Sequence, residues 1–153
     1  MRVLVAYDGS PASEAAISEV LRRPWPAGTR IRIATVTERP LSAPPPSGLE
    51  FYAPLVERVR SSLREEAYQR IQKLLSRFAA RPELEASYEL REGSPKQALL
   101  EMIEEWHADL VLAGSHGKGN LARLFLGSVS HALVTSAPCN VEIIKTKSEQ
   151  QTL

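Results

Sequence analysis

The chain has a single cysteine, Cys139, which rules out an intramolecular disulfide framework and fits a reducing compartment. No apolar run approaches the ~20 residues that a membrane-spanning helix needs, so no membrane span is expected. An excess of either charge is missing too. Nineteen Lys and Arg face eighteen Asp and Glu, and the formal net charge of +1 leaves no general electrostatic case for nucleic acid or for a membrane surface. The opening Met1-Arg-Val-Leu-Val-Ala-Tyr-Asp8 has neither the apolar core nor the cleavage site of a secretory signal, and a cytoplasmic protein is expected. Internal repeats are absent. The three histidines, His107, His116 and His131, have no metal-ligand spacing with the cysteine.

What is present is an ordinary globular composition, 43% hydrophobic and 24% charged over 153 residues, enough for one domain that buries a core without staples. Residues 2–7 are a continuous apolar run of strand length, as in a strand covered on both faces. Asp8-Gly-Ser-Pro11 then turns the chain into a helix, with Ser10 suited to the N-cap and Pro11 to the first helical position. Ala12, Ala16, Ile17, Val20 and Leu21 are its apolar stripe, and Pro24-Trp-Pro26 ends it. Residues 30–37 are the second strand, with Ile31, Ile33 and Val36 turned inward. The prolines of 38–50 exclude a regular element there.

A long helix is expected over 51–80, irregular near Pro54, with Leu63, Ala67, Ile71, Leu74, Leu75 and Phe78 as its buried stripe. Its interspersed charges, among them Arg70 and Lys73, read as a solvated face. Residues 85–91 are the third strand. Ser94 with Gln97 fits a capping box ahead of a helix whose Leu99, Met102, Ile103 and Trp106 share one face. Residues 110–113 and Asn140-Val-Glu-Ile-Ile-Lys145 are the fourth and fifth strands; 1–147 make the domain and 148–153 a flexible tail. Strands alternating with helices imply the α/β class: a single doubly wound five-stranded parallel sheet of order 3-2-1-4-5, with right-handed crossovers and helices on both faces. In that order strands one and four lie side by side and their connections leave to opposite faces, so Asp8 and Gly114 line one crevice.

The most informative stretch is Gly114-Ser-His-Gly-Lys-Gly-Asn-Leu-Ala-Arg-Leu-Phe-Leu-Gly-Ser128. It follows the apolar Asp109-Leu-Val-Leu-Ala113 and precedes a helix over 129–137, where Val129, Ala132 and Leu133 fall at helical spacing. A glycine loop between strand and helix suits a phosphate: glycine lets backbone N–H groups point at one anion, and the helix adds partial positive charge at its first turn. Lys118 is misplaced for a Walker A loop, and no G-x-G-x-x-G follows the first strand. What remains is Gly114-x-x-Gly117, nine residues, then Gly127-Ser128; the alternative is a loop whose glycines serve turn geometry alone. With Val3-Leu-Val-Ala-Tyr-Asp-Gly-Ser10, Arg91-Glu-Gly-Ser-Pro95 and the run from 108 to 144, this pattern resembles the ATP-binding branch of the universal stress protein family over nearly the whole chain.

The resemblance implies a site. Asp8 matches an aspartate that accepts hydrogen bonds near a ribose, a task a carboxylate can perform on both hydroxyls; by itself it reads equally as a turn or cap residue. Val36 matches the position whose backbone reads the adenine edge, and Ala6 and Tyr7 border the same pocket. Gly114, Gly117, Gly127 and Ser128 are the phosphate and ribose contacts, with the amides of Gly117 and of Gly127, Ser128 and Val129 around the outer phosphates. Ser128 reads alternatively as an N-cap, and Ser130 as a further phosphate contact or a local hydrogen bond. His116 and Lys118 sit inside the loop, within reach of a phosphate or simply exposed. ATP, with ADP or AMP as alternatives, is the implied cofactor, and Mg²⁺ would accompany its phosphates.

Binding does not establish hydrolysis, and neither a Walker B aspartate nor an H-x-G-H motif is present. The expected function is a cytoplasmic ATP-binding stress or signalling module, in which nucleotide biases a surface for an unidentified protein partner; no catalytic residue is assigned. The alternatives are a nucleotide-independent, chaperone-like dimer and a slow ATP hydrolase. The resemblance also implies a homodimer through Asn140–Lys145, where Asn140 and Glu142 on one face either blunt an exposed edge or tune the pairing.

Overall fold

The computed structural model describes residues 1–38, 47–48, 50–117 and 126–146. The proline-rich residues 39–46, Lys118 and the tail expected over 148–153 lie outside the described residues, as do the side chains of Leu63 and Ala67.

Five strands, β1 (Arg2–Ala6), β2 (Arg30–Thr37), β3 (Glu85–Glu92), β4 (Leu110–Gly114) and β5 (Asn140–Ile144), form one sheet of order β3-β2-β1-β4-β5. Every neighbouring pair is parallel, and the register sets Val5 opposite Ile33 on one side and Leu112 on the other. Val3, Leu4 and Val5 are 0% exposed, which is why the first strand is apolar without alternation. The helices are α1 (Pro11–Arg22), α2 (Ala53–Ser76), α3 (Pro95–Trp106) and α4 (Ser128–Ser136). Short 3₁₀ turns, Glu50–Tyr52 and Arg77–Ala80, flank α2. Pro54 lies in its first turn, where a missing N–H costs nothing, so the helix runs on without a break.

Strand alternation sorts the core into two layers. Val3, Val5, Ile31, Ile33 and Leu112 meet Ala16, Ile17 and Val20 of α1, with Leu74 and Phe78 from the end of the α2 region. On the other face Leu4, Ala34, Val111 and Ala113 meet Leu99, Met102, Ile103 and Trp106 of α3, with Leu133 of α4. Both faces are therefore covered, as a doubly wound sheet requires.

Helix starts differ in how they are closed. At α1 the Ser10 hydroxyl accepts from Ser13 N at 3.2 Å, with Pro11 following as expected. At α3 the expected capping box does not form. Ser94 makes no side-chain cap bond, and Gln97 Nε2 donates instead to Glu101 Oε1 at 2.9 Å, a charged acceptor one turn further on.

Glu142 does not project into solvent from the edge strand. Arg23, the residue that closes α1, donates to Glu142 Oε1 at 2.5 Å and to Oε2 at 2.7 Å, and also to Glu19 Oε1 at 3.0 Å. The Arg23 guanidinium holds the Glu142 carboxyl below its ordinary value, and Arg22 and Arg23 do the same for Glu19. A carboxyl depressed on folding contributes stability that is present above its unfolded pKa and lost as pH falls through the folded value. The wild type is therefore expected to lose stability more steeply than Glu142→Gln as pH drops below the ordinary 4.5. At pH 7 the variant is less stable by about 1 kcal/mol or less, since the pair is partly solvated. Urea unfolding across that range checks both, and parallel pH profiles would contradict the prediction.

Candidate functional site

The chain leaves β1 toward α1 on one face and β4 toward α4 on the other, so the switch point at which doubly wound sheets bind ligands lies beyond the carboxyl ends of these adjacent strands. At the β1 side, Ala6 is half-buried against the α3/α4 layer, where Val36 also packs. Tyr7 goes the other way. Its ring is buried under α1 and α2, its phenol donates to Glu14 Oε1 at 2.5 Å, and burial with that carboxylate raises its pKa to about 12. Ala6 and Tyr7, expected to border one pocket, thus send their side chains to opposite faces, because successive strand residues must.

The two Asp8 oxygens face different neighbours. Oδ1 accepts from Ser10 N at 2.9 Å and closes the turn into α1. Oδ2 lies 3.0 Å from the point a Cβ on Gly117 would occupy. The turn that Asp8 closes through one oxygen therefore leaves the other beside Gly117.

The glycines divide by task. A Cβ on Gly114 would stand 2.6 Å from the main-chain carbon and the Cβ of Ala12 and 2.9 Å from Ser13 N. Glycine is needed there for α1 to lie against β4. A Cβ on Gly127 would stand 3.4 Å from His116 Cα and Ser115 O, and 3.6 Å from Gly117 N. The loop is closed at its base, where Gly127 N donates to Ser115 O at 2.9 Å. Ser115, which the spacing pattern treats as a blank, is 1% exposed, and its N–H donates to Ile144 O at 2.9 Å. Nothing in the sequence singled it out, since its role is main-chain closure. Ser10 Oγ donates to His116 O at 3.4 Å, and the His116 ring Nδ1 lies 3.1 Å from Ser115 Oγ.

Gly127 is the N-cap of α4 (φ −58°, ψ 155°) and has no side chain to place over the first turn. The helical ladder starts with His131 N on Gly127 O at 2.9 Å, so the amides of Ser128, Val129 and Ser130 belong to the turn that has no preceding helical carbonyl. Ser128 is exposed as the first helical residue, outside the cap position, and Val129 is half-buried. Ser130 is buried, and its hydroxyl donates to Gly114 O at 2.6 Å, tying α4 to the end of β4.

Asp8, Gly117, Gly127 and the first turn of α4 are thus brought close together, with Ala6 and Val36 on the α3/α4 side of the sheet. Such a set offers backbone donors, helix-end positive charge and one carboxylate: the equipment for a phosphate joined to a hydroxylated group. No group of three or more His, Cys, Asp or Glu side chains among the described residues is placed to hold a metal. No helix among the described residues is long and apolar enough to cross a membrane.

The chain is similar to known proteins along most of its length. A universal stress protein of Thermus aquaticus is 28% identical over 143 residues, covering 94% of this chain and 97% of that one. One of Methanocaldococcus jannaschii is 30% identical over 94 residues, and there the match spans 61% of this chain and only 55% of the relative. Among solved structures, a universal stress protein in complex with cAMP superposes with a TM-score of 0.63 at 23% identity, covering 94% of this chain and 95% of the other. An Arabidopsis thaliana member with AMP bound gives a TM-score of 0.64 at 16% identity, covering 98% and 94%. The family model of the universal stress protein family matches residues 1–145, and the chain belongs to that family.

Proposed function

We propose that this chain binds an adenine nucleotide, ATP in the first place, and uses it to bias a protein-binding surface. The phosphates lie against the amides of Gly117, Gly127, Ser128 and Val129, the ribose at Asp8, and the base beside Ala6 and the main chain of Val36. The observation that carries this reading is a pair of missing side chains. A Cβ at 127 would stand 3.6 Å from Gly117 N, and one at 117 would stand 3.0 Å from Asp8 Oδ2. Two glycines keep an amide, a carboxylate and an uncapped helix start open to the same ligand. The same fold holding AMP in one neighbour and cAMP in another supports an adenine nucleotide as the occupant. Gly114 and Ser130, tied to α1 and to each other, act in this account as the scaffold of the loop. Mg²⁺ arrives on the phosphates, which supply most of its ligands. Hydrolysis has no assigned base, and any turnover is slow and secondary.

Among the described residues the edge strand β5 pairs on one side only, with β4. Its outer edge, Asn140–Lys145, is the proposed homodimer contact, with an unidentified protein as the further partner. Both parts are tested on protein purified without added ligand. Mass spectrometry of the acid-released fraction is expected to find ATP, ADP or AMP, and light scattering a species of twice 16.9 kDa. A nucleotide-free protein that also fails to take up ATP would favour the nucleotide-independent alternative.

A further inference from the structure

The other face of the sheet carries a cleft that the nucleotide account leaves unused. It lies between α1 and α2, has a volume of about 200 Å³, and is lined by Tyr7, Glu14, Arg70, Lys73, Leu74 and Arg77. Arg70, Lys73 and Arg77 recur at helical spacing of three and four and so share one side of the α2 region. Leu74 and the Tyr7 ring form an apolar floor, both buried.

The charges do not balance. Three cations face one carboxylate, and Glu14 is already engaged, accepting from the Tyr7 phenol at 2.5 Å and from Arg77 Nη1 at 2.7 Å. Arg77 Nη2 reaches Ser18 Oγ at 3.4 Å. Among the described residues neither Arg70 nor Lys73 makes a hydrogen bond or ion pair with a carboxylate, and the one carboxylate whose pKa Lys73 helps to lower is the same Glu14. Cations in excess of carboxylates above an apolar floor give a positive local potential, and guanidinium forks bind oxyanions through charge-assisted hydrogen bonds. The cleft is smaller than the ~300–1,000 Å³ that holds a drug-sized ligand, so its occupant is small.

We propose that the cleft between α1 and α2 is a second anion site, in which Arg70, Lys73 and Arg77 hold a phosphate group. It is separate from the proposed nucleotide site: Tyr7 projects to this face, Ala6 and Val36 to the opposite one. The phosphate comes either from inorganic phosphate or from a small phosphomonoester, and the two are told apart by affinity.

The test is a titration at low ionic strength, where screening is weakest, with inorganic phosphate in one arm and glycerol 3-phosphate in the other. It is read by NMR at the Tyr7 amide and the Arg77 guanidinium, so a response at the glycine loop is seen separately. Two substitutions should act with opposite sign. Arg70→Gln with Lys73→Gln is expected to weaken binding about tenfold or more, from the loss of two charge-assisted contacts. Glu14→Gln removes the one opposing carboxylate and is expected to tighten it about threefold. Tighter binding of glycerol 3-phosphate would identify the phosphomonoester as occupant, and equal binding the bare anion. Silence at Tyr7 and Arg77 in both arms, or affinities indifferent to both substitutions, overturns the proposal whatever the glycine loop does.

Discussion

Gly114→Ala is expected to cost about 3 kcal/mol of stability, at the upper end of what overpacking does to a core, and to lower Tm by about 6–12 °C in a chain of this size. The added methyl would meet the Ala12 main-chain carbon and Cβ at 2.6 Å, far inside the ~3.5–4.0 Å of an ordinary carbon contact. Relief requires α1 to back away by about 1 Å, and in close-packed interiors such shifts are resisted. The first turn of α1 is held by the Ser10 cap, the Asp8 turn and the Tyr7–Glu14 bond. Ala16, Ile17 and Val20 of the same helix are 0% exposed. Calorimetric unfolding checks the prediction. A Tm within about 2 °C of wild type would mean that the close approach of α1 to β4 is not a constraint.

Gly127→Val is expected to reduce ATP affinity at least ~100-fold, equivalent to about 2.7 kcal/mol, while leaving the fold in place. Gly127 has φ −58°, which a side chain tolerates, and its Cβ direction meets neighbours at 3.4 Å rather than 2.6 Å. The branched side chain would stand before Gly117 N, where a phosphate oxygen has to sit. Two lost charge-assisted hydrogen bonds, at about 1.5–3 kcal/mol each, are enough for that loss. Gly117→Ala acts at the neighbouring point by crowding Asp8 Oδ2 at 3.0 Å. Titration calorimetry with ATP and Mg²⁺ measures both, and adenosine is the control. Without phosphates, adenosine should bind Gly127→Val as weakly as it binds wild type. An ATP affinity within threefold of wild type would remove the loop from the account.

The residues that made the fold legible are those whose pattern has one physical solution. Val3, Leu4 and Val5 in succession demand cover on both faces. Leu99, Met102, Ile103 and Trp106 demand a helix with one face inward, and all are buried. Given alternating strands and helices, handedness and the switch-point rule lead to the observed β3-β2-β1-β4-β5 order. The glycines of the candidate site were legible as a set, but their division of labour was not. Spacing cannot say that Gly114 faces Ala12 while Gly117 faces Asp8, because those neighbours, in the first turn of α1 and the turn before it, are distant in sequence. The Arg23–Glu142 pair, 119 residues apart, leaves no local trace either. Reading the end of the first strand as one surface also hid that alternation sends the Tyr7 side chain to the opposite face from Ala6. At Ser94 a local motif lost to a competing acceptor at Glu101.

The most direct measurement follows individual main-chain amides by ¹⁵N NMR while Mg²⁺ and ATP are added, with adenosine titrated in parallel. The amides of Gly117, Gly127, Ser128 and Val129 should move strongly with ATP and hardly at all with adenosine. If ATP leaves those amides where they were, or adenosine moves them as far, the glycine loop and the start of α4 do not hold a phosphate chain.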